Sequence, residues 1–308
     1  MSTPSRNLLD REAPAKLVEQ HLRAQCDMLK ELADYGAELI WRAYDASAKQ
    51  LTEAIAIGVL LKQVVAMVDA AEELVRIAAI HAANLQARAA CEASFYLEWM
   101  LQSDSENKAK HYYVASLREQ RQWAVRATKG TPENEKFVDN LSKAGIDDQW
   151  ATTFSATEAT NYVERVSAIL AQEALAGIAN SFDEYAKKRR GNVQWYQPLG
   201  APSIAKIASD VGRAHEYAIF YSKGSNVIHS GSHFDHIEFL RSGLRLKKLR
   251  SLHGSNELIM QITNLAMRTY RVVIERYIPS HKQEFGRLWL ERWREPFRSI
   301  PVFVFKAG

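Results

Sequence analysis

Proline, glycine and cysteine are scarce in this chain, and each scarcity narrows what it can be. Eight prolines and fourteen glycines in 308 residues are few for a fold built from many tight turns, so helices are favoured over a turn-rich β architecture. The two cysteines, Cys26 and Cys91, stand in no metal-type spacing and are too few for a disulfide scaffold. They point to a reducing, cytoplasmic location. An apolar signal region is missing, since the opening MSTPSRNLLDREAP is polar and charged. The most apolar run, Ala54 to Val68, is interrupted by Lys62 and Gln63. It reads as a buried helix rather than a membrane span, and no membrane partner is expected. Low-complexity tracts, solenoid repeats and strand–helix alternation are also missing, which argues against a parallel sheet.

What remains is ample for a helical core. Hydrophobic residues make up 47% of the chain. The net charge is +4 and the pI about 8.9, which permits contact with a polyanion without requiring it. The expected fold is an all-α bundle of long helices. A flexible lead over 1–14 precedes a main helical domain over 15–253. A C-terminal helical pair and tail over 254–308 would pack on it. Helices are expected over 15–49, from Thr52 to Val68, and from Asp69, where Glu72 completes a capping-box-like start, to Leu101. Others follow over 106–126, 132–143, 156–190, 203–211, 217–229, 255–278 and 281–294. Residues 191–202 read as a linker.

The chain is organised around Tyr217 to His229, YAIFYSKGSNVIH. Tyr217, Tyr221, Ser225 and His229 recur every fourth residue and share one helical face. Ile219, Phe220, Val227 and Ile228 are left to pack that helix into a core. A polar stripe on a packed helix needs polar partners. His81, Arg88 and Glu92, on one face of an alanine-rich helix, are the expected ones.

The segments RAACEASFYLEWML, Tyr112 with Tyr113, Trp195 and YAIFYSKGSNVIHS resemble the bacterial family catalogued as domain of unknown function 5677, over roughly residues 50–235. Arg88, Glu92, Tyr217, Tyr221, Ser225 and His229 match that family's polar positions. The resemblance implies an all-helical fold, with a core like that of HEPN domains (higher eukaryotes and prokaryotes nucleotide-binding). Some HEPN domains are metal-independent ribonucleases that often pair as homodimers. Their arginine–histidine signature occurs here twice, as Arg76 with His81 and Arg276 with His281. Neither includes His229, which has Lys223 six positions before it. In a ribonuclease of a bacterial antiviral defence or toxin system, His229 would move a proton, Arg88 would stabilise phosphorane charge and Glu92 would orient Arg88. Tyr221 and Ser225 would position phosphate or histidine. RNA or a nucleotide is the expected partner and no cofactor is expected. The competing expectation is a non-catalytic nucleotide-binding, nucleic-acid-binding or protein-interaction protein whose polar stripe is structural.

Two further patterns belong with these. His229, His233, Asp235 and His236 are metal-ligand types within eight positions, without a companion motif; they read as a polar loop, and no metal is assigned. Arg241, Arg245, Lys247, Lys248 and Arg250 form a basic run suited to nucleic-acid phosphate.

Overall fold

The computed structural model describes residues 8–48, 52–146, 157–189, 192–228, 231, 233–240 and 243–303. The fold is all-α, with one small two-stranded sheet among the described residues. The chain forms two compact units, one of Met1–Ser103 with Ile204–Gly308 and one of Asp104–Ser203.

The first unit begins with α1 (Glu12–His21) and α2 (Arg23–Ala46), separated only by a kink at the buried Leu22. The apolar run lies within α3 (Thr52–Arg76), which extends well past Asp69. The break expected at Asp69 falls instead at Ile77–Ala79, where Ala78 adopts a positive φ of 56°. Alanine carries no sequence signal for that conformation. Helix α3 is long and apolar enough to cross a membrane, and half of its most apolar stretch is buried inside the protein. The chain then enters α4 (Ile80–Gln102).

Later in the chain come α9 (Ile204–Asp210), α10 (Ala214–Glu216), a π turn (Tyr217–Tyr221), α11 (Ser222–Ile228) and α12 (His233–His236). Strands β1 (Ile237–Leu240) and β2 (Gly243–Leu246) pair antiparallel, Ile237 opposite Leu246 and Phe239 opposite Leu244. Helix α13 (Ser255–Tyr277) is followed by α14 (Lys282–Leu288), a second π turn (Trp289–Trp293) and α15 (Arg294–Arg298).

Helices α2, α3, α4 and α13 pack together as the core. Leu29, Leu32 and Leu39 enter it from α2, Ile57, Leu61 and Val64 from α3, and Ile259, Ile262 and Tyr270 from α13. On α4 the small residues Ala83, Ala87 and Ala90 are buried, so neighbouring backbones can approach closely. Trp293 is buried, and its indole N–H donates to Glu31 at 3.0 Å.

The second unit holds α5 (Ser105–Ala127), α6 (Pro132–Lys143), α7 (Thr157–Leu170) and α8 (Glu173–Lys188). Thr131 caps α6 by accepting the Asn134 N–H at 3.1 Å, with Pro132 in the first turn. Helices α7 and α8 divide a stretch that reads as one helix, because Gln172 is extended, with ψ 141°. The 191–202 segment is not a plain linker in its described part. Trp195 and Tyr196 are buried, and Trp195 meets Tyr112 edge-on at 5.5 Å.

Candidate functional site

The site is built where α11 and the π turn before it lie on α4. Gly224 sets the approach. A methyl group in its place would sit 2.6 Å from the Arg88 Cβ and 3.0 Å from the Asn84 carbonyl oxygen. Only hydrogen fits there, so α11 lies directly against the stem of Arg88.

The π turn then brings Tyr217 and Tyr221 together. Ser222 N–H bonds five residues back to the Tyr217 carbonyl. The wider turn places the two rings nearly in register, stacked at 4.9 Å with 19° between their planes. Single π turns of this kind recur at functional sites.

Tyr221 is buried, and its hydroxyl joins two charges. It accepts from Arg88 Nη2 at 2.9 Å and donates to Glu92 Oε2 at 3.2 Å. Tyr96 donates to the other oxygen of Glu92 at 3.1 Å. The Arg88 guanidinium carbon also stands 4.5 Å from the centre of the Tyr221 ring. Arg88 and Glu92, one turn apart on α4, are therefore connected through a phenol rather than by a direct ion pair. Burial, reinforced by the Glu92 charge and opposed by Arg88, pushes the Tyr221 hydroxyl up to about 12. It stays a neutral donor at physiological pH.

Arg88 is half-buried. Its Nε is sealed from solvent and has no hydrogen-bond partner among the described residues, and no described carboxylate lies within ion-pair distance. The lack of a carboxylate partner is unusual for a partly buried arginine, because desolvated charge is normally compensated.

The other expected residues are placed unequally. Ser225 is half-buried and follows Gly224 on α11. His229 and Arg241 lie outside the described residues. Ile219 and Ile228, expected in the core, are exposed, because the π turn and α11 turn Tyr221 and Gly224, not Ile219 and Ile228, toward α4. His81 meets His236 edge-on at 4.7 Å. Burial first, then His236, lowers its pKa, with Asp235 opposing. His233, Asp235 and His236 are exposed, and no group of three metal-ligating side chains occurs among the described residues.

Both arginine–histidine spacings are separated by structure. Arg76 ends α3, ion-paired with Glu72 and with Asp27 at 2.9 Å, while His81 starts α4. Arg276 holds the buried Glu53 at 2.9 Å, whereas His281 contacts Glu284. The described basic run is tethered. Arg245 pairs with Glu238 and Lys248 with Asp10. Lys247 and Arg250 donate to the carbonyls of Phe234 and Ile77.

A second polar centre carries no signal that the sequence reading used. Arg213 is 0% exposed. Its guanidinium donates to Ser94 at 2.5 Å, to Glu98 at 3.3 Å, and to both oxygens of Glu216 at 2.9 and 2.5 Å. It also lies 4.6 Å over Phe95. Glu98 is gripped in turn by Arg268, at 2.6 Å. The spacing of Ser94 and Glu98, one turn apart on α4, was the available clue.

A family model matches residues 53–241, described as a family of unknown function, DUF5677. The chain belongs to DUF5677. The DUF5677 match contains Arg88, Glu92, Tyr96, Tyr221 and Gly224, and so covers every described group of the cluster. No curated protein matches the chain, and no solved structure does.

The buried groups also set an alkaline limit on stability. Burial pushes Cys26, Cys91 and Tyr35, like Tyr221, up to about 12. Ordinary thiols ionise near 9.0 and phenols near 10.0. The fold therefore holds these protons more tightly than the unfolded chain does. That stabilisation is complete below pH 9 and is lost as pH rises toward 12. The urea midpoint should stay level up to pH 9 and fall steadily above it. A level midpoint up to pH 12 would contradict this assignment.

Proposed function

We propose that the protein binds the phosphate of a nucleotide or RNA at the Arg88 cluster. The supporting observation is a half-buried arginine with unused donor capacity and no described carboxylate partner. Glu92 is occupied by two tyrosine hydroxyls, so it fixes Tyr221 without neutralising Arg88 directly. A phosphate oxygen is a strong acceptor for such a guanidinium and would supply the missing negative charge.

Metal-independent RNA cleavage, in a bacterial defence or toxin setting within the cytoplasm, is the second reading. It is favoured by chain continuity, since α11 carries Gly224 against Arg88 and leads four residues past Ser225 to His229. His229 would transfer the proton and Arg88 would hold phosphorane charge. Glu92 and Tyr221 would orient Arg88, and Ser225 would position the phosphate. A HEPN-like homodimer belongs to this reading.

Labelled single-stranded RNA and ATP should be titrated into the wild type, Arg88→Ala and His229→Ala, with RNA cleavage followed in EDTA. Arg88→Ala should weaken binding by about tenfold or more, the worth of a charged hydrogen bond, while His229→Ala still binds. Cleavage by the wild type that both variants lose would add the nuclease. Absence of binding and cleavage in the wild type, with Arg88→Ala merely destabilised, would reduce the cluster to helix packing.

A further inference from the structure

The β1–β2 hairpin presents an apolar face with nothing described to cover it. Its register puts Ile237, Phe239, Leu244 and Leu246 on one face and the Glu238–Arg245 ion pair on the other. Ile237 is buried against the body, but Phe239 is 70% exposed, and Leu244 and Leu246 are exposed beside it. Phe234, 69% exposed, approaches Phe239 at 6.4 Å between ring centres. Leu249, also exposed, continues the strip where its N–H bonds to the Leu8 carbonyl. So many large apolar side chains together on a solvent face mark a contact surface.

Charge selects what covers it. Residues 231–250 contain five lysines and arginines against two acids. Lys247 and Arg250 bind backbone carbonyls and therefore keep their full charge. Two copies of this hairpin face to face would set like charges against each other. RNA would use the cations and could stack bases on the phenylalanines, but has no need of the exposed leucines. An anionic bilayer uses both, with apolar side chains in the interface and lysine and arginine among the headgroups.

We propose that strands β1 and β2, with Phe234 before them and Lys247 to Arg250 after them, dock the protein peripherally on membranes containing anionic lipid. Phe239 and Leu244 enter the interface, and Lys247 and Arg250 meet lipid phosphates. This departs from the expectation that no membrane takes part, and it is independent of any ligand at Arg88.

The test is co-sedimentation of the full chain with phosphatidylcholine vesicles and with vesicles also containing phosphatidylserine. The wild type should pellet with the anionic vesicles only, and added salt should weaken the binding. Phe239→Ser with Leu244→Ser should lower partitioning about tenfold or more. Lys247→Gln and Arg250→Gln should each lower it about fivefold. Because the serine changes fall on exposed side chains, an unchanged circular dichroism spectrum should accompany the loss. Failure of the wild type to bind either vesicle overturns the proposal, as does binding unchanged by the serine pair. A wild-type dimer that the serine pair converts to monomer would assign the face to a second copy. RNA binding that needs Lys247 and Arg250 but not Phe239, without vesicle binding, would assign it to nucleic acid.

Discussion

Arg213→Ala should cost about 3–5 kcal/mol of folding stability, the usual loss when one partner of a buried ion pair is removed. The wild-type guanidinium is fully buried and its donors are taken by Ser94, Glu98 and Glu216. Its removal leaves Glu216 without its two-pronged partner and opens space over Phe95. Glu98 keeps Arg268, so the loss falls mainly on Glu216 and on the Ser94–Thr269 bond beside it. The Arg213 carbonyl, which accepts the Tyr217 N–H at 3.1 Å, is kept in the variant, so any loosening of the Tyr217–Tyr221 segment should come through Glu216, the residue before it. Arg271→Ala is the comparison. Arg271 pairs with Glu275 on the surface, where such a pair is worth about 1 kcal/mol or less. Urea unfolding of both variants measures the contrast. Equal small losses would show that the Arg213 network carries little stability.

The second large effect is expected at Gly36, in the middle of α2. A glycine inside a helix usually costs about 1 kcal/mol relative to alanine, so Gly→Ala at an open position stabilises. Gly58 on α3, with nothing within 4 Å of the added carbon, should behave that way. At Gly36 the added methyl would lie 2.3 Å from the Tyr270 hydroxyl and 2.6 Å from Val65 Cγ2. Overpacking of this kind costs about 1–3 kcal/mol and should outweigh the helix gain. Tyr270 is fully buried, and its hydroxyl has no hydrogen-bond partner among the described residues. Tyr270→Phe should therefore be neutral or stabilise by about 1 kcal/mol. Combining it with Gly36→Ala should recover part of the loss, since the nearest clash disappears while the ring carbon remains. Strict additivity in the double-mutant cycle would mean that the two groups do not collide.

The helical class was legible because apolar periodicity and few turn residues agree along the whole chain. Arg88, Glu92 and Tyr221 were legible because spacings of four align side chains on a helix. The orientation of the Tyr217–Ile228 segment was not. It depends on the π turn and on Gly224 meeting Arg88, both consequences of tertiary packing, and so Ile219 and Ile228 point to solvent. Arg213 is hidden in the sequence because a single arginine near a glycine, with a glutamate three residues on, resembles ordinary surface, and its partners Ser94 and Glu98 sit on a distant part of the chain. The α3–α4 break was invisible because Ala78 is held by contacts from far away, including the Ser251 N–H donating to its carbonyl at 3.0 Å. The basic run read as a charged rim. Its period of two, with Phe239, Leu244 and Leu246 on one face, was present but spread over two strands of only four residues each.

The stretch that DUF5677 members share and the stretch that packs together are different things here. Helices α2 and α13 fall outside residues 53–241, yet α13 lies against α3 and α4, and α2 lies against α3 and α13, in the core. Cutting the protein at the family borders would strip Leu29, Leu32, Ile259, Ile262 and Tyr270 from that core. The cut would turn inward-facing aliphatic surface on α3 and α4 into a sticky exterior. Inheritance has marked out the segment bearing the polar cluster, but autonomous folding requires its flanks. A laboratory fragment chosen by relatedness alone should precipitate, whereas one that retains α2 and α13 keeps the scaffold that holds Arg88 in place.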